Sequence, residues 1–146
     1  MKALFAGSFD PFTIGHDSIV RRALRLFDEG VTIAIGYNCN KTSCSDIEER
    51  VDAIRRIYND VDGVEVAAYS CLTTDFARQC GAGVLLRGVR SVKDFEYERD
   101  LADINRRISG IDTVILPAEP DMAMISSSMV RELMRYGKDV SEFLPR

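Results

Sequence analysis

The chain has 146 residues, 46% of them hydrophobic and 29% charged, which suits a soluble globular protein long enough for one substantial core without disulfides or metal. A net charge of −4 argues against broad nonspecific nucleic-acid binding, which needs a cationic face, but leaves room for a small cationic pocket. No apolar stretch approaches the roughly 20 residues of a membrane span, no secretory leader pattern opens the chain, and Cys39, Cys44, Cys71 and Cys80 lack the spacing and histidine partners of a zinc site. A single domain over residues 1–146, cytoplasmic and with free thiols, is the expectation.

Lys2 to Ala6 reads as a short buried strand, and Ile19, Val20, Ala23, Leu24 and Phe27 repeat at helical spacing. Between them lies Gly7-Ser8-Phe9-Asp10-Pro11-Phe12-Thr13-Ile14-Gly15-His16, a loop that delivers His16 to the first turn of the helix. Unpaired N–H groups and the positive end of the helix dipole there favour an anion. Gly7 and Gly15 allow close backbone approach. His16 is the chain's one histidine; it can serve catalysis, with its side chain facing ligand and not core, or make only a local hydrogen bond.

Val31 to Gly36 reads as a second strand, followed by a polar loop from Tyr37 to Cys44 that contains Lys41. Lys41 is either a solvated surface lysine or an arm reaching a phosphate near His16. Ser45 or Asp46 can cap the next helix, whose buried face is Ile47, Val51, Ile54, Ile57 and Tyr58. Val64 to Ala68 makes a third strand. Thr73 or Thr74 can cap a short helix closed by Gly81 and Gly83.

Val84 to Leu86 is an apolar fourth strand, as expected at the centre of a sheet covered on both faces. Arg87-Gly88-Val89-Arg90 follows it. Guanidinium forks placed there bind two phosphate oxygens at once, the alternative being ordinary surface salt bridges. Lys93 to Ser109 is a long helix with Tyr97, Leu101, Ile104 and Ile108 on one face; Glu98, in its first turns, stands apart from the other, solvated charges. Thr113 to Leu116 is a fifth strand. Ile125-Ser126-Ser127-Ser128-Met129-Val130-Arg131 then opens a helix containing Val130, Leu133 and Met134. One serine can cap it, and the others, with adjacent N–H groups, would form a second anion cradle.

Five strands alternating with helices predict a doubly wound five-stranded parallel α/β sheet with helices on both faces, a Rossmann-like arrangement. The anion-binding features then converge on the carboxyl edge of that sheet and imply a polyphosphate ligand.

GSFDPFTIGH resembles the signature of the nucleotidylyltransferase superfamily, in which the final histidine contacts nucleoside triphosphate. With LLRGVRSVKDFEYE and ISSSMVR it resembles the bacterial phosphopantetheine adenylyltransferase family over nearly the whole chain, and the Asp94 to Glu98 segment discriminates against relatives using other acceptors. The resemblance implies adenylyl transfer from ATP to 4′-phosphopantetheine with Mg2+, giving dephospho-coenzyme A and pyrophosphate, in a homohexamer. It implies catalytic roles for His16, Lys41 and Arg90. The implied ATP contacts are Ser8, Phe9, His16, Gly88, Val89, Arg90, Glu98 and the segment Met122, Ala123, Met124, Ile125, Ser126, Ser127 and Ser128. The implied acceptor contacts are Ser8, Lys41, Thr73 and Arg87. No metal-ligating residue and no nucleic-acid or membrane partner is implied.

Overall fold

The computed structural model describes residues 1–41 and 44–146. Strand β1 (Ala3–Gly7) leads to helix α1 (Ile14–Leu24), then β2 (Val31–Gly36), α2 (Cys44–Ile57), β3 (Val64–Tyr69), α3 (Thr73–Gln79), β4 (Val84–Val89), α4 (Val92–Ser109), β5 (Asp112–Pro117) and α5 (Ser127–Arg135). Single 3-10 turns occupy Pro120–Met122 and Ser141–Phe143. The five strands are parallel in the order β3-β2-β1-β4-β5, the doubly wound arrangement expected.

Side chains alternate across this sheet, so each strand feeds two apolar layers. Phe5, Ile33, Ile35, Val84 and Leu86 pack with Ile19 and Val20 of α1 and Ile47 and Ile54 of α2. Leu4, Ala34 and Leu85 pack on the opposite side with Ala77 of α3. Gly30 closes the turn before β2 with a φ of 89°, and a Cβ there would lie 2.2 Å from the Gly63 carbonyl oxygen. Only glycine fits that approach.

The strand order changes direction between β1 and β4, and the ladders show what this does locally. β1 pairs with β2 as far as Gly7 opposite Ile35, and β4 with β5 as far as Val89 opposite Pro117. Between β1 and β4, pairing runs only from Ala3 opposite Val84 to Phe5 opposite Leu86. Beyond that point the two central strands share no ladder, and a crevice opens at their carboxyl ends. Open parallel sheets bind ligands in this position.

Several elements differ from the sequence expectation. Arg87, Gly88 and Val89 belong to β4 rather than to a loop, because they still pair with Ile115, Leu116 and Pro117 of β5. α2 begins at Cys44, so Ser45 and Asp46 lie inside it and are not its caps; of the loop before it, residues 42 and 43 lie outside the described residues, as does the Ser45 side chain. α3 is capped by Leu72 without a side-chain bond, and Thr73 Oγ1 instead bonds the Tyr69 hydroxyl at 2.8 Å.

α4 departs furthest from its periodicity. Tyr97, Ile104 and Ile108, read with Leu101 as one apolar face, are 65%, 57% and 55% exposed, and its one buried residue is Glu98. The Glu98 ion pair with Arg87 of β4 fixes the rotation of the helix. Residues 98, 101, 102 and 105 are turned inward together, as helical spacing requires, while 97, 104 and 108 form a lateral stripe. In α5, Val130 is buried and Met134 is 53% exposed.

Candidate active site

The crevice between β1 and β4 is a cavity of about 450 Å³. Ser8, Phe9, Thr13, Gly15 and His16 line it from the β1–α1 side, Arg87, Gly88 and Val89 from β4 with Arg90 just beyond it, and Met122, Ile125, Ser126, Ser127, Ser128 and Arg131 from the α5 side. The three separated motifs therefore meet around one space. Its polar groups include hydroxyls, N–H groups and guanidinium ions, with no carboxylate among the described residues of the lining, which selects for an anion.

α1 starts here because Thr13 is its N-cap and forms a capping box with His16, the third helical residue. The Thr13 hydroxyl accepts from the His16 backbone N–H at 3.4 Å, and His16 Nδ1 accepts from the Thr13 backbone N–H at 2.9 Å. A backbone amide can only donate, so Nδ1 must be the unprotonated nitrogen and the neutral ring carries its proton on Nε2. The local-hydrogen-bond reading is met, and the same cap orients the ring and leaves Nε2–H as a donor at the cavity. The side chain does not face ligand alone, because Phe9 and Phe12 lie 5.0 and 5.3 Å from it between ring centroids.

Burial, and then the positive charges of Arg87 and Arg90, pull the His16 pKa from 6.5 down to about 4. The folded state therefore binds the proton less readily than the unfolded chain. Its contribution to stability is complete above about pH 6.5 and is lost as the pH falls toward 4. Since the chain has one histidine, an NMR titration reads this group directly. The expected result is an ionisation near pH 4 that moves upward when inorganic triphosphate is added, because a polyanion offsets the two arginines. A midpoint near 6.5 without ligand would contradict the geometry.

Arg87 stands where this cavity meets a second one of about 180 Å³, lined by Ala6, Gly7, Tyr69, Leu72, Thr73, Glu98, Leu101 and Asn105 among others. Its Nε and Nη2 donate to the two Glu98 carboxylate oxygens at 2.8 and 2.7 Å, and its Nη1 donates to the Ala6 carbonyl at 2.5 Å. The last bond spans the point where the β1–β4 ladder has ended. Glu98, read from the resemblance as an ATP contact, lines the second cavity and spends both oxygens on Arg87. Thr73 lines that cavity too.

Arg90 lines the first cavity, with Asp94 3.5 Å from its Nε. Of the serines, Ser126 caps α5 by accepting from the Met129 N–H, and Ser127 donates to the Pro11 carbonyl at 2.8 Å. Ser128 accepts from Arg131 at 3.2 Å. Two hydroxyls are thus structural ties, and the cradle rests more on backbone N–H groups at the start of α5. Ala123 and Met124 are outside the cavity lining, and Met124 is 73% exposed. Lys41 is exposed on the β2–α2 loop, also outside both linings. Thr13, Arg50 and Arg131 were not singled out by sequence; only the Thr13-to-His16 spacing carried a readable signal, that of a capping box.

Residues 4–133 match the family model described as cytidylyltransferase-like, so fold and site define a nucleotidyltransferase. The chain is 52% identical over 145 residues to the phosphopantetheine adenylyltransferase of Bacteroides fragilis, covering 99% of this chain and 96% of that protein. It is 55% identical over 143 residues to that of Porphyromonas gingivalis, covering 98% and 93%. The solved structure of a lipopolysaccharide core biosynthesis protein from Thermoplasma volcanium shares the fold, with a TM-score of 0.56 at 17% identity over 82% of this chain and 96% of that one. The chain belongs to the phosphopantetheine adenylyltransferase family.

Proposed function

We infer that the protein transfers the adenylyl group of ATP to 4′-phosphopantetheine, forming dephospho-coenzyme A and releasing pyrophosphate. The observation that carries this reading is the pair of adjoining cavities with Arg87 at their boundary. The larger, ringed by N–H donors, guanidinium groups and His16, suits a nucleoside triphosphate; the smaller, partly apolar one suits the pantetheine arm, with its phosphate toward Arg87.

The chemistry asks little of a base. The attacking group is a phosphate monoester, largely dianionic at neutral pH with a second pKa of about 6. One of its oxygens attacks the α-phosphorus of ATP, and the bond to the bridging oxygen of pyrophosphate breaks in line. The protein must hold two mutually repelling anions together and stabilise charge on the α-phosphoryl oxygens. His16, kept neutral with Nε2–H outward, serves as the donor to that phosphoryl group. Arg90 and the N–H groups opening α1 and α5 take the triphosphate. Lys41, on its exposed loop, would close over the incoming phosphate together with Ser8.

Among the described residues no carboxylate lines the first cavity, so its donor set does not suit a protein-held Mg2+. Magnesium enters this proposal as part of the ATP substrate, coordinated by phosphates and water. No helix of the described residues is long and apolar enough to cross a membrane. A cytoplasmic setting is part of the proposal, supported by free thiols at Cys39, Cys71 and Cys80 among the described residues.

Self-association, as the homohexamer the resemblance implies, is also proposed. It is supported by the lateral stripe of α4 and by Met134 and Tyr136, which are 53% and 70% exposed. Light scattering after size exclusion should give about six times the 16.3 kDa chain mass; a monomer would contradict it. For the reaction itself, incubation with ATP and 4′-phosphopantetheine followed by mass spectrometry should show dephospho-coenzyme A. Its absence with folded protein would overturn the reading.

A further inference from the structure

The loop that shapes the first cavity is held by side chains from two helices. The Ser8 carbonyl accepts from Arg50 Nη1 of α2 at 3.1 Å, the Asp10 carbonyl from Arg131 of α5 at 2.6 Å, and the Pro11 carbonyl from Ser127 at 2.8 Å. Arg50 Nη2 also lies 3.7 Å from the Asp10 carboxylate. Phe9, within this loop, has a φ of 47°, a left-handed conformation that is strained for a bulky residue and must be imposed from outside.

Arg50 lines neither cavity, so whatever it does for the site it does through the loop. The Ser8–Phe9 peptide is trans, and in a trans peptide the C=O and N–H point in opposite directions. A Ser8 carbonyl drawn toward α2 therefore turns the Phe9 N–H away from α2. That N–H has no protein hydrogen-bond partner among the described residues, and Phe9 lines the first cavity.

We propose that Arg50 is a positioning residue for adenylyl transfer: by holding the Ser8 carbonyl toward α2, it presents the Phe9 N–H to the crevice as an anion donor. Without that bond the peptide can rotate and set a carbonyl dipole where a phosphate belongs. The inference rests on the adenylyl-transfer reading. It also joins α2, and the Lys41 loop before it, to the loop that bears His16.

Arg50→Met and Arg50→Lys test it, with kcat, both KM values and melting temperature measured on each. Loss of one preorganised donor costs about 100-fold in rate, so Arg50→Met should lower kcat about 10- to 100-fold. KM for ATP and 4′-phosphopantetheine should stay within about threefold of wild type, because the donor acts mainly on charge that develops during reaction. Arg50→Lys, which can replace one of the two contacts, should recover part of kcat. A purely structural role would lower the melting temperature and leave kcat per folded molecule unchanged; that result, or wild-type kcat in Arg50→Met, overturns the proposal. Should Arg50→Met not fold, Arg50→Lys decides alone, a kcat within twofold of wild type counting against the role. Failure of the wild-type protein to release pyrophosphate would instead overturn the reaction assignment.

Discussion

Replacing His16 by glutamine is expected to lower kcat for adenylyl transfer by about two to three orders of magnitude, in the range found when one preorganised donor is removed from a site of developing negative charge. Glutamine is the informative choice because His16 has two duties. Its Nδ1 completes the capping box of α1, and its Nε2–H is left as a donor at the cavity where the proposed reaction places substrate. Glutamine at the third helical position can accept from the cap N–H as histidine does, so the helix start survives while the imidazole donor is lost. His16→Ala removes both functions and should lower kcat equally but also lower stability, by about 1 kcal/mol for the cap. Steady-state kinetics with denaturation curves for both variants separate the two duties. A kcat for His16→Gln within tenfold of wild type would show that the ring is a structural cap and nothing more.

The second large effect is expected at Arg87. The Glu98 side chain is only 8% exposed and has its charge answered by Arg87, so Arg87→Ala leaves a buried carboxylate without a partner. Breaking such a pair from one side costs about 3 kcal/mol. Burial alone would disfavour the Arg87 charge, but its hydrogen bonds to Glu98 and the charge of that carboxylate outweigh the penalty and raise its pKa. The guanidinium also stands between the two cavities, so the same change should raise KM for 4′-phosphopantetheine at least about 50-fold, the loss expected for a charge-assisted contact to phosphate. The double variant Arg87→Met with Glu98→Leu removes both charges together. It should regain most of the stability and none of the acceptor affinity. If the double variant binds acceptor like wild type, Arg87 serves the fold and not the substrate.

The parts of this architecture governed by local pattern were legible in the sequence. Strand β2 was read with its observed ends because Gly30 and a continuous apolar run bound it, and the loop to His16 was read because glycine spacing and helix periodicity meet there. The convergence of that loop, the Arg87 to Arg90 stretch and the serine run followed from the βα alternation and the ligand rule for open sheets. What was not legible depends on contacts between distant segments. The α4 stripe of Tyr97, Leu101, Ile104 and Ile108 has the spacing of a core face, yet Glu98, a residue that hydropathy would place outside, turns inward to meet Arg87. Periodicity records which residues share a side of a helix, not which side the sheet takes. Arg50 was similarly silent, since its partner is a backbone carbonyl in another loop and leaves no mark on its own sequence neighbourhood. The His16 tautomer lay between these cases: Thr13 stands three residues earlier, and the box follows once the helix start is known.

The central claim is that two adjoining cavities hold ATP and a phosphorylated pantetheine for direct transfer. Pyrophosphate release with magnesium and ATP, compared among 4′-phosphopantetheine, nicotinamide mononucleotide and no acceptor, tests it most directly. Release with 4′-phosphopantetheine alone, matched by an equal amount of dephospho-coenzyme A, is the predicted result. Release with nicotinamide mononucleotide alone would keep the fold and the phosphate chemistry but contradict the assignment of the second cavity, and no release with any acceptor would contradict catalysis itself.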